Sequence, residues 1–408
     1  MTRTPAVRRG VLVGVALLVI LALVAVWALR RLQEPEPIPL AEAVTVEQPE
    51  ALAAWHEAVA EADEQEATIA VLGDSNAEGA TLGDDLSLRY LDRLQSMLRE
   101  RSDLAGCPVR PRGFHGTTSV VPPWYEAGTL PKPAQTRPAQ RAYTQGPGGR
   151  ALQLGVGGSV TWRVDADEVR LGYRTSPTAG RLQVVIDGRV VADLVTRSAR
   201  SERRVWEREL AAGEHSVTAR HVADPATSSA SDDTAVTVTD LTPYAGDRGR
   251  CVHAHDVAHS GIAAHDIVDN PAYLQDSLAV EPDLLVLPLG FNDAADGRTP
   301  EQFVGDLASL IAQARAHGHD GSVLILSMFT PASEGDWPAP WTDYAQHMRQ
   351  LARTSDAAFV DLARVMPPVR GDRTGLYSDR VHVSAAGHAR IAELLLPSLL
   401  PPQERSAS

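Results

Sequence analysis

The sequence predicts an α/β protein whose parallel sheet is interrupted by a β-rich insertion and preceded by a membrane-spanning helix. Three observations support this fold class. Apolar runs typical of buried strands alternate with helical stretches in two separate parts of the 408-residue chain. Such an alternation of strands and helices is typical of a doubly wound fold. Between those parts, apolar residues recur at every second position, with frequent turns. Near the N-terminus lies one long, uninterrupted apolar segment.

Residues 11–29 form that apolar segment and predict a transmembrane signal anchor, with residues 1–10 as a cytoplasmic tail. At about 1.5 Å per residue, the segment just spans a hydrocarbon core of about 30 Å. The alternative is a cleaved signal peptide, which needs a shorter apolar core and a cleavage site of small residues. Arginines flank the segment on both sides, so the positive-inside rule leaves its orientation open.

Residues 30–49 are acidic and contain several prolines, and they predict a semi-extended linker. The α/β part begins after it. Residues 50–66 predict a helix with one apolar face, residues 68–72 a buried strand, and residues 86–98 a second helix. A strand followed by a helix is the opening of a doubly wound fold.

Residues 107–250 predict an inserted β-sandwich, because short strands with period-two patterning follow one another between turns. Asp187 and Gly188 lie between two of these strands and give a strong hairpin signal. The predicted strands cover residues 160–164, 169–173, 182–186, 190–194, 205–210, 215–220 and 235–239. The stretch 108–150 is rich in proline and glycine and predicts a loop that wraps the substrate site.

After residue 250 the α/β pattern returns, so residues 50–106 and 251–402 together form one predicted, discontinuous α/β domain. The predicted strands are residues 284–289, 323–328 and 357–362, and the predicted helices are residues 301–317, 342–353 and 385–399. Open α/β sheets bind ligands at the carboxyl ends of their strands. Polar residues at those ends are therefore candidates for a functional site.

A serine and a histidine far apart in the chain suggest hydrolytic chemistry. Ser75 follows a Gly-Asp dipeptide at the end of the first predicted strand, and His382 follows Asp379 by three residues. A serine hydroxyl needs a base to take its proton, and a histidine serves as that base once a carboxylate fixes its tautomer. One helical turn would bring the side chains of Asp379 and His382 together. The chain thus contains a candidate Ser-His-Asp triad.

Two further segments offer donors for the negative charge that acyl transfer develops on a carbonyl oxygen. Asn292 lies in Gly-Phe-Asn-Asp just beyond the strand 284–289, so its amide can donate at the strand's carboxyl end. Gly261 has no side chain to hinder a substrate from approaching its backbone N–H. The N–H of Ser75 would be the third donor.

Taken in order, the Gly-Asp-Ser, glycine, Gly-x-Asn-Asp and Asp-x-x-His segments resemble the four sequence blocks of the SGNH (GDSL) hydrolase family. The resemblance covers residues from about 68 to 106 and from about 250 to 401. It implies a flavodoxin-like three-layer fold with Ser75 as nucleophile, His382 as base and Asp379 as the group that orients His382. It also implies an oxyanion hole built from Gly261, Asn292 and the Ser75 amide, with no metal and no organic cofactor.

Each motif alone has an ordinary structural explanation. Gly-Asp-Ser is common in turns, Asp-x-x-His is common at helix N-termini, and Gly-Phe-Asn-Asp suits a loop after a strand. Their joint occurrence in this order, each after a suitable strand, favours the enzymatic interpretation. The chain contains no Gly-x-Ser-x-Gly segment, which argues against the nucleophile elbow of the α/β-hydrolases.

The histidines at 253, 255, 259 and 265 invite a metal-site interpretation, because they are close together in the sequence. Their spacing is not that of a standard zinc motif. Alternation would place His253 and His255 on one face of an exposed strand. We therefore predict no metal site, and we expect His259, beside the oxyanion glycine, to lie near the substrate.

Charge and cysteine content restrict the partners and the compartment. The formal net charge of −14 disfavours nucleic acid or an anionic membrane surface as the main partner. Cys107 and Cys251, the two cysteines of the chain, flank the predicted insertion. Behind an N-terminal anchor they predict a structural disulfide, because such bonds persist in oxidising compartments. The catalytic domain of a single-pass membrane protein is therefore expected to face outward.

Together these expectations describe a membrane-anchored, extracytoplasmic serine esterase. Inserted β-sandwiches often resemble carbohydrate-binding modules, and the layout resembles that of some peptidoglycan O-acetylesterases. The implied substrate is an acylated carbohydrate or other ester, in particular an O-acetylated cell-surface or extracellular glycan. Three alternatives stay open: an O-acyltransferase acting on a glycan, a lipase or thioesterase, and a non-catalytic glycan-binding surface protein.

Overall fold

The computed structural model describes residues 44–82, 86–101, 107, 118–119, 134–136, 139–142, 145–223 and 235–402. The predicted membrane anchor and cytoplasmic tail, residues 1–29, lie outside these ranges. Within them, no helix combines the length and the apolar character that crossing a bilayer requires.

The described residues form strands, α-helices and short 3₁₀-helices. The strands are β1 Val46–Glu47, β2 Glu66–Val71, β3 Thr118–Ser119, β4 Ala134–Thr136, β5 Ala139–Ala142, β6 Ala151–Leu154, β7 Ser159–Arg174, β8 Arg181–Ile186, β9 Arg189–Val195, β10 Arg203–Val222, β11 Val236–Tyr244, β12 Cys251–Asp256, β13 Leu284–Leu287, β14 Ser322–Ser327 and β15 Ala358–Asp361. The α-helices are α1 Ala53–Ala60, α2 Ser75–Glu78, α3 Tyr90–Arg101, α4 Ala264–Val268, α5 Pro271–Leu278, α6 Phe291–Ala295, α7 Pro300–Ala316, α8 Trp341–Ala352 and α9 Ala385–Leu399. The 3₁₀-helices are Pro49–Leu52, Leu86–Leu88, Pro147–Gly149, Glu334–Asp336 and Leu362–Arg364.

A six-stranded sheet forms the centre of the α/β part, in the order β1-β15-β14-β13-β2-β12. Every neighbouring pair is parallel except β1 with β15. Numbered along the chain, the five parallel strands have the order 2-1-3-4-5, which is the doubly wound order of flavodoxin-like folds. The α/β fold class predicted from the sequence is therefore confirmed.

The helices of the α/β part pack in two groups. In one group, the Trp55 indole of α1 donates to the Leu399 carbonyl of α9 at 2.9 Å, and the Tyr90 amide at the start of α3 donates to His388 of α9 at 3.2 Å. In the other group, α7 packs against both α4 and α8. Apolar faces from both groups join the sheet in one hydrophobic core, which is the layered arrangement that a doubly wound sheet requires.

The predicted linker 30–49 extends too far, because Val46 and Glu47 form the edge strand β1 against β15. The Glu47 carboxylate also lies 2.5 Å from the guanidinium of Arg349 in α8. A strand of two residues has no pattern of its own, so only its neighbour β15 specifies it. The helix predicted over residues 50–66 is also shorter, since α1 ends at Ala60.

The β-rich part is a single nine-stranded sheet in the order β5-β6-β11-β7-β10-β8-β9, with β3 on β11 and β4 on β7. Its long strands β7 and β10 pair along nearly their whole lengths, and the predicted β-sandwich stays a prediction. Each of these long strands contains two of the strands that were predicted separately. A register shift between Glu209 and Gly213 interrupts their ladder, and such irregularities bend a strand.

This sheet has a hydrophobic core of its own. Alternate side chains of β7, such as Val160, Trp162 and Val164, face it, as period-two patterning predicts. None of its buried residues belongs to the core around the six-stranded sheet. The predicted domain boundaries at residues 107 and 250 stay a prediction.

Two predictions about local structure are wrong. The stretch 108–150, predicted as a loop, contains β3, β4 and β5, which are too short to give a sequence pattern. His253 and His255 do not lie on an exposed strand, because all of β12 is buried although it is an edge strand. Arg99 and Gln95 of α3 hydrogen-bond backbone groups of β12, each at 2.7 Å, and thereby cover its free edge.

Cys107 and Cys251 are joined in a disulfide, as predicted, with their Cα atoms 5.8 Å apart. The bond closes a loop of 144 residues and ties the start of the β-rich part to its end. In the chain-entropy model, a loop of this length stabilises the folded state by up to about 5 kcal/mol.

We expect the Cys107→Ser/Cys251→Ser variant to unfold at a lower denaturant concentration than the native protein, because its unfolded chain regains the loop entropy. Peptide mapping without reductant should find one cross-linked peptide in protein recovered from an oxidising compartment. Two freely alkylated thiols in that protein would contradict the assignment.

Candidate active site

The site lies where three neighbouring parallel strands end. β2 leads to Ser75, β12 leads to the turn 259–262, and β13 leads to Asn292. Backbone hydrogen bonds continue this alignment beyond the strands, since the His259 amide donates to the Gly73 carbonyl at 2.9 Å. The sheet order therefore brings together three segments that are distant in the sequence.

Ser75 is the first residue of α2 and is 8% exposed. Gly73 is needed in the approach to it, because a Cβ at that position would lie 2.6 Å from Pro288 Cγ. Asp74 caps the helix, and its Oδ1 accepts from the Asn76 amide at 2.9 Å. Burial raises the pKa of Asp74 to about 6, although the hydrogen bond from Asn76 acts in the opposite direction.

Ser75, His382 and Asp379 come together although Ser75 lies 307 residues before His382. The Nε2 of His382 is 2.9 Å from Ser75 Oγ, and its Nδ1 is 2.7 Å from Asp379 Oδ2. With a proton on Nδ1, the imidazole donates to the carboxylate and its Nε2 can accept the serine proton. This geometry is that of a nucleophile, its base and the group that orients the base.

Asp379 and His382 do not meet through a helical turn, as the sequence suggested. The segment is a loop in which Asp379 Oδ1 accepts from the backbone amides of Val381 and His382, both at 2.8 Å. An aspartate that binds the amides following it shapes a tight turn without a helix. Burial raises the pKa of Asp379, but these hydrogen bonds and the one from His382 outweigh burial and lower it overall.

Asn76 holds the backbone on both sides of His382. Its Nδ2 donates to the Val381 carbonyl at 3.0 Å, and its Oδ1 accepts from the Val383 amide at 3.2 Å. Because Asn76 directly follows Ser75, one buried side chain ties the helix of the serine to the loop of the histidine. These two contacts fix the backbone on either side of His382 relative to the helix that carries Ser75.

The predicted oxyanion residues Gly261 and Asn292 lie in one hydrogen-bonded unit. Gly261 has a φ of +84°, and a Cβ there would meet no atom within 4 Å, so the position favours glycine and is open. Asn292 Nδ2 donates to the Ile262 carbonyl at 2.8 Å. This contact uses one of the two amide hydrogens of Asn292. Asp293, which is fully buried, accepts from the Ala264 amide at 2.9 Å.

His259 forms part of the framework of the turn. Its Nδ1 lies 2.8 Å from the Gly148 carbonyl. Burial lowers its pKa to about 4, so the ring is neutral at pH 7 and Nδ1–H donates to that carbonyl. The prediction that His259 lies near the substrate stays a prediction.

A metal-site interpretation has one geometric candidate among the described residues. Ligand atoms of His265, Asp293 and Asp306 lie within 4.8 Å of one another. Asp293 is already bound to a backbone amide, and the Arg298 guanidinium lies 3.4 Å from Asp306. The group therefore has cationic and hydrogen-bonding partners within the protein, and it does not include His253, His255 or His259.

The sequence motifs did not predict three further residues of the site: Asn76, Glu78 and Arg150. Asn76 and Glu78 come just after the nucleophile motif, and polar residues at those positions could have indicated that they support it. Arg150 had no such signal, because it reaches Glu78 from 72 residues away in the sequence.

Comparison with known proteins identifies the family. The model of the GDSL-like Lipase/Acylhydrolase family matches residues 245–390. Esterase TesA of Pseudomonas aeruginosa is 30% identical over 146 residues, which are 36% of this chain and 70% of TesA. This chain belongs to the GDSL-like lipase/acylhydrolase family. The resemblance inferred from the four motifs is thus confirmed, and the protein is an esterase. The family match includes Gly261, Asn292 and His382, whereas Ser75 precedes it.

Two solved structures are similar to parts of this chain, and one of them shares its overall fold. That of a peptidoglycan O-acetylesterase has a TM-score of 0.63 at 17% identity, covering 85% of this chain and 95% of that one. A crystal structure of TesA has a TM-score of 0.31 at 28% identity, covering 38% of this chain and 82% of that one. The peptidoglycan O-acetylesterase structure therefore shares its fold with most of this GDSL-like esterase.

We expect Asn76→Ala to lower kcat on a small activated ester by about 10- to 100-fold with little change in KM, because a displaced base reacts poorly even when the substrate still binds. Steady-state kinetics and a thermal melt measure the two effects. Gln95→Ala is the matched control: it also removes a buried amide that binds the backbone, but away from His382, and should lower only Tm. Equal kcat values for the two variants would contradict this role of Asn76.

Proposed function

We propose that this GDSL-like esterase is a membrane-anchored, extracytoplasmic enzyme that removes O-acetyl groups from a cell-surface or extracellular glycan. Ser75 is the proposed nucleophile, His382 the base, and Asp379 the residue that orients it. The single observation that carries the proposal is the continuous chain of contacts from Ser75 Oγ through the imidazole to Asp379, at 2.9 and 2.7 Å.

In the first half of the proposed reaction, Ser75 Oγ attacks the ester carbonyl while His382 Nε2 takes the hydroxyl proton. The carbonyl oxygen becomes an oxyanion, which the N–H groups of Ser75 and Gly261 and the amide of Asn292 stabilise. Collapse of the intermediate breaks the ester bond. The sugar oxygen leaves with the proton from His382, and the acetyl group stays on Ser75.

In the second half, His382 takes a proton from water, and the resulting nucleophile attacks the acetyl carbonyl. The same donors stabilise the second oxyanion. Acetate then leaves and the proton returns to Ser75 Oγ. Asp379 stays ionised throughout and stabilises the imidazolium that forms in each half.

The β-rich part supports a glycan as substrate. It contains a polar cavity of about 280 Å³, whose lining includes Gln145, Gln153, Arg174 and Thr237. Amide, guanidinium and hydroxyl groups are suitable partners for sugar hydroxyls. Residues 146–150, which follow Gln145, contact the turn of Gly261 through His259. The fold shared with a peptidoglycan O-acetylesterase is consistent with this substrate class.

The apolar segment 11–29 and the disulfide support the proposed location. A segment of this length and composition suits a single membrane span. A disulfide between Cys107 and Cys251 is expected in an oxidising compartment. The catalytic part is therefore proposed to lie outside the cytoplasm.

We expect Ser75→Ala and His382→Ala each to lower the turnover of a small acetyl ester by about 10³-fold or more, since both act in one chemical step. Asp379→Asn should lower turnover by a smaller factor, and the variant should still fold. Asn292→Ala should lower kcat by about 10²- to 10³-fold with KM nearly unchanged. Steady-state kinetics measure these effects. Native-like turnover by Ser75→Ala would remove the nucleophile assignment.

We expect the soluble portion to release acetate from an O-acetylated glycan, and Ser75→Ala to release none above background. Mass spectrometry of the products, with and without an added sugar acceptor, measures this. Transfer of acetyl to the acceptor in place of free acetate would indicate an acyltransferase. Activity confined to long-chain esters or thioesters would indicate a lipase or thioesterase. Binding of glycan without any turnover would indicate a non-catalytic protein.

A further inference from the structure

Glu78 is a fully buried carboxylate that the reaction itself does not use. It lies one helical turn after Ser75 on α2. Its two oxygens have different partners: one pairs with the Arg150 guanidinium, and the other, Oε2, accepts from the Ser260 amide at 2.7 Å. A buried carboxylate is retained only when it is paired and hydrogen-bonded. Glu78 meets both conditions through two separate parts of the chain.

Arg150 comes from the β-rich part, directly before β6, and its side chain is 3% exposed. Its segment is fixed against α5, since the Gly146 amide donates to Asp276 at 2.7 Å and the Gly148 amide donates to Ser277 at 3.1 Å. The arginine also lies 3.6 Å from Asp256. Its position is therefore set by the α/β part as well as by β6.

Ser260, the other partner of Glu78, directly precedes Gly261. Glu78 therefore fixes the turn 259–262 at the amide next to the proposed oxyanion donor. Because the same short helix carries Ser75 at its start and Glu78 at its end, the helix sets the distance between nucleophile and donor. Burial raises the pKa of Glu78, while the positive charge of Arg150 beside it acts in the opposite direction and favours the ionised carboxylate.

We propose that Glu78 is a positioning residue that holds the Gly261 N–H in place beside Ser75, and that Arg150 supplies its countercharge from the β-rich part. This inference rests on the proposed role of Gly261 in the oxyanion hole. It makes the β-rich part a structural component of the active site. A deletion of residues 108–250 would then remove Arg150 and disturb the oxyanion turn along with any glycan binding.

Two double variants isolate the contact between Glu78 and Ser260. Glu78→Leu/Arg150→Met and Glu78→Gln/Arg150→Met each remove one negative and one positive charge, so neither leaves an unpaired buried ion. They differ in one respect: glutamine keeps an oxygen that can accept from the Ser260 amide, and leucine does not. The glutamine variant is thus the matched control for the leucine variant.

In the leucine variant, kcat on a small activated acetyl ester should fall about 10- to 100-fold while KM changes less than about threefold, since a displaced oxyanion donor mainly affects the transition state. The glutamine variant should stay within about threefold of the native kcat. Equal kcat values in the two variants, both folded by circular dichroism, would overturn the proposal.

Glu78→Asp provides a second test if the leucine variant fails to fold. Aspartate keeps the charge beside Arg150, but it is one methylene shorter and cannot reach both partners. We expect a lower kcat with a Tm near the native value. Native kcat in this folded variant would overturn the proposal.

Hydrogen exchange separates this proposal from the proposed function. The amides of residues 260–262 should exchange faster in the leucine variant, or in Glu78→Asp, than in the glutamine variant, whatever reaction the enzyme performs. Ser75→Ala tests the chemistry independently. If Ser75→Ala stays active while exchange changes as expected, the proposed function fails and the positioning holds. Unchanged exchange would overturn the positioning even if Ser75→Ala is inactive.

A remote ion pair serves as the control for the loss of stability that follows when buried charges are removed. Arg203 and Asp240 form a pair at 2.7 Å within the β-rich sheet, with side chains 11% and 2% exposed. Arg203→Met/Asp240→Asn should lower Tm and leave kcat unchanged. A fall in kcat equal to that of the leucine variant would show that destabilisation alone explains the effect, and would overturn the proposal.

Discussion

The active site depends on the adjacency of β12, β2 and β13 in a parallel sheet. Parallel neighbours present their carboxyl ends at the same edge, so the three segments that follow them must meet there. Ser75, the turn of Gly261 and Asn292 occupy these three positions. A different strand order would leave every motif intact in the sequence and still separate the groups in space. Strand order is therefore the constraint on which the site is built.

Polar side chains next to the motifs then set the local geometry of the site. Asn76 ties the loop of His382 to the helix of Ser75, and Asp379 shapes its own loop while it binds the imidazole. Most of these contacts are made to backbone groups. A contact to the backbone fixes the position of the chain whatever side chain that residue carries, and a functional site needs such fixed positions.

The two hydrophobic cores among the described residues are separate, but polar, buried side chains join the α/β part to the β-rich part. Arg150 with Glu78 and Arg174 with Asp276 cross this joint. A buried ion pair adds little net stability compared with apolar packing, but it tolerates few alternative arrangements. The joint is thus better suited to holding one orientation than to adding stability, and the site lies beside it.

The sequence by itself determined the fold class and the α/β order before and after the β-rich part, because periodicity is a local property. It also singled out Ser75, Gly261, Asn292, Asp379 and His382 as candidate site residues, since short motifs are local as well. It also identified the cysteine pair, since the chain has only two. Tertiary structure alone decided that Asp379 contacts His382 from within a loop and that side chains of α3 cover the free edge of β12. It also decided that β7 and β10 are continuous strands and that Arg150 contacts Glu78. Each of these depends on contacts between segments far apart in the chain, and local patterns carry no information about which distant groups will meet.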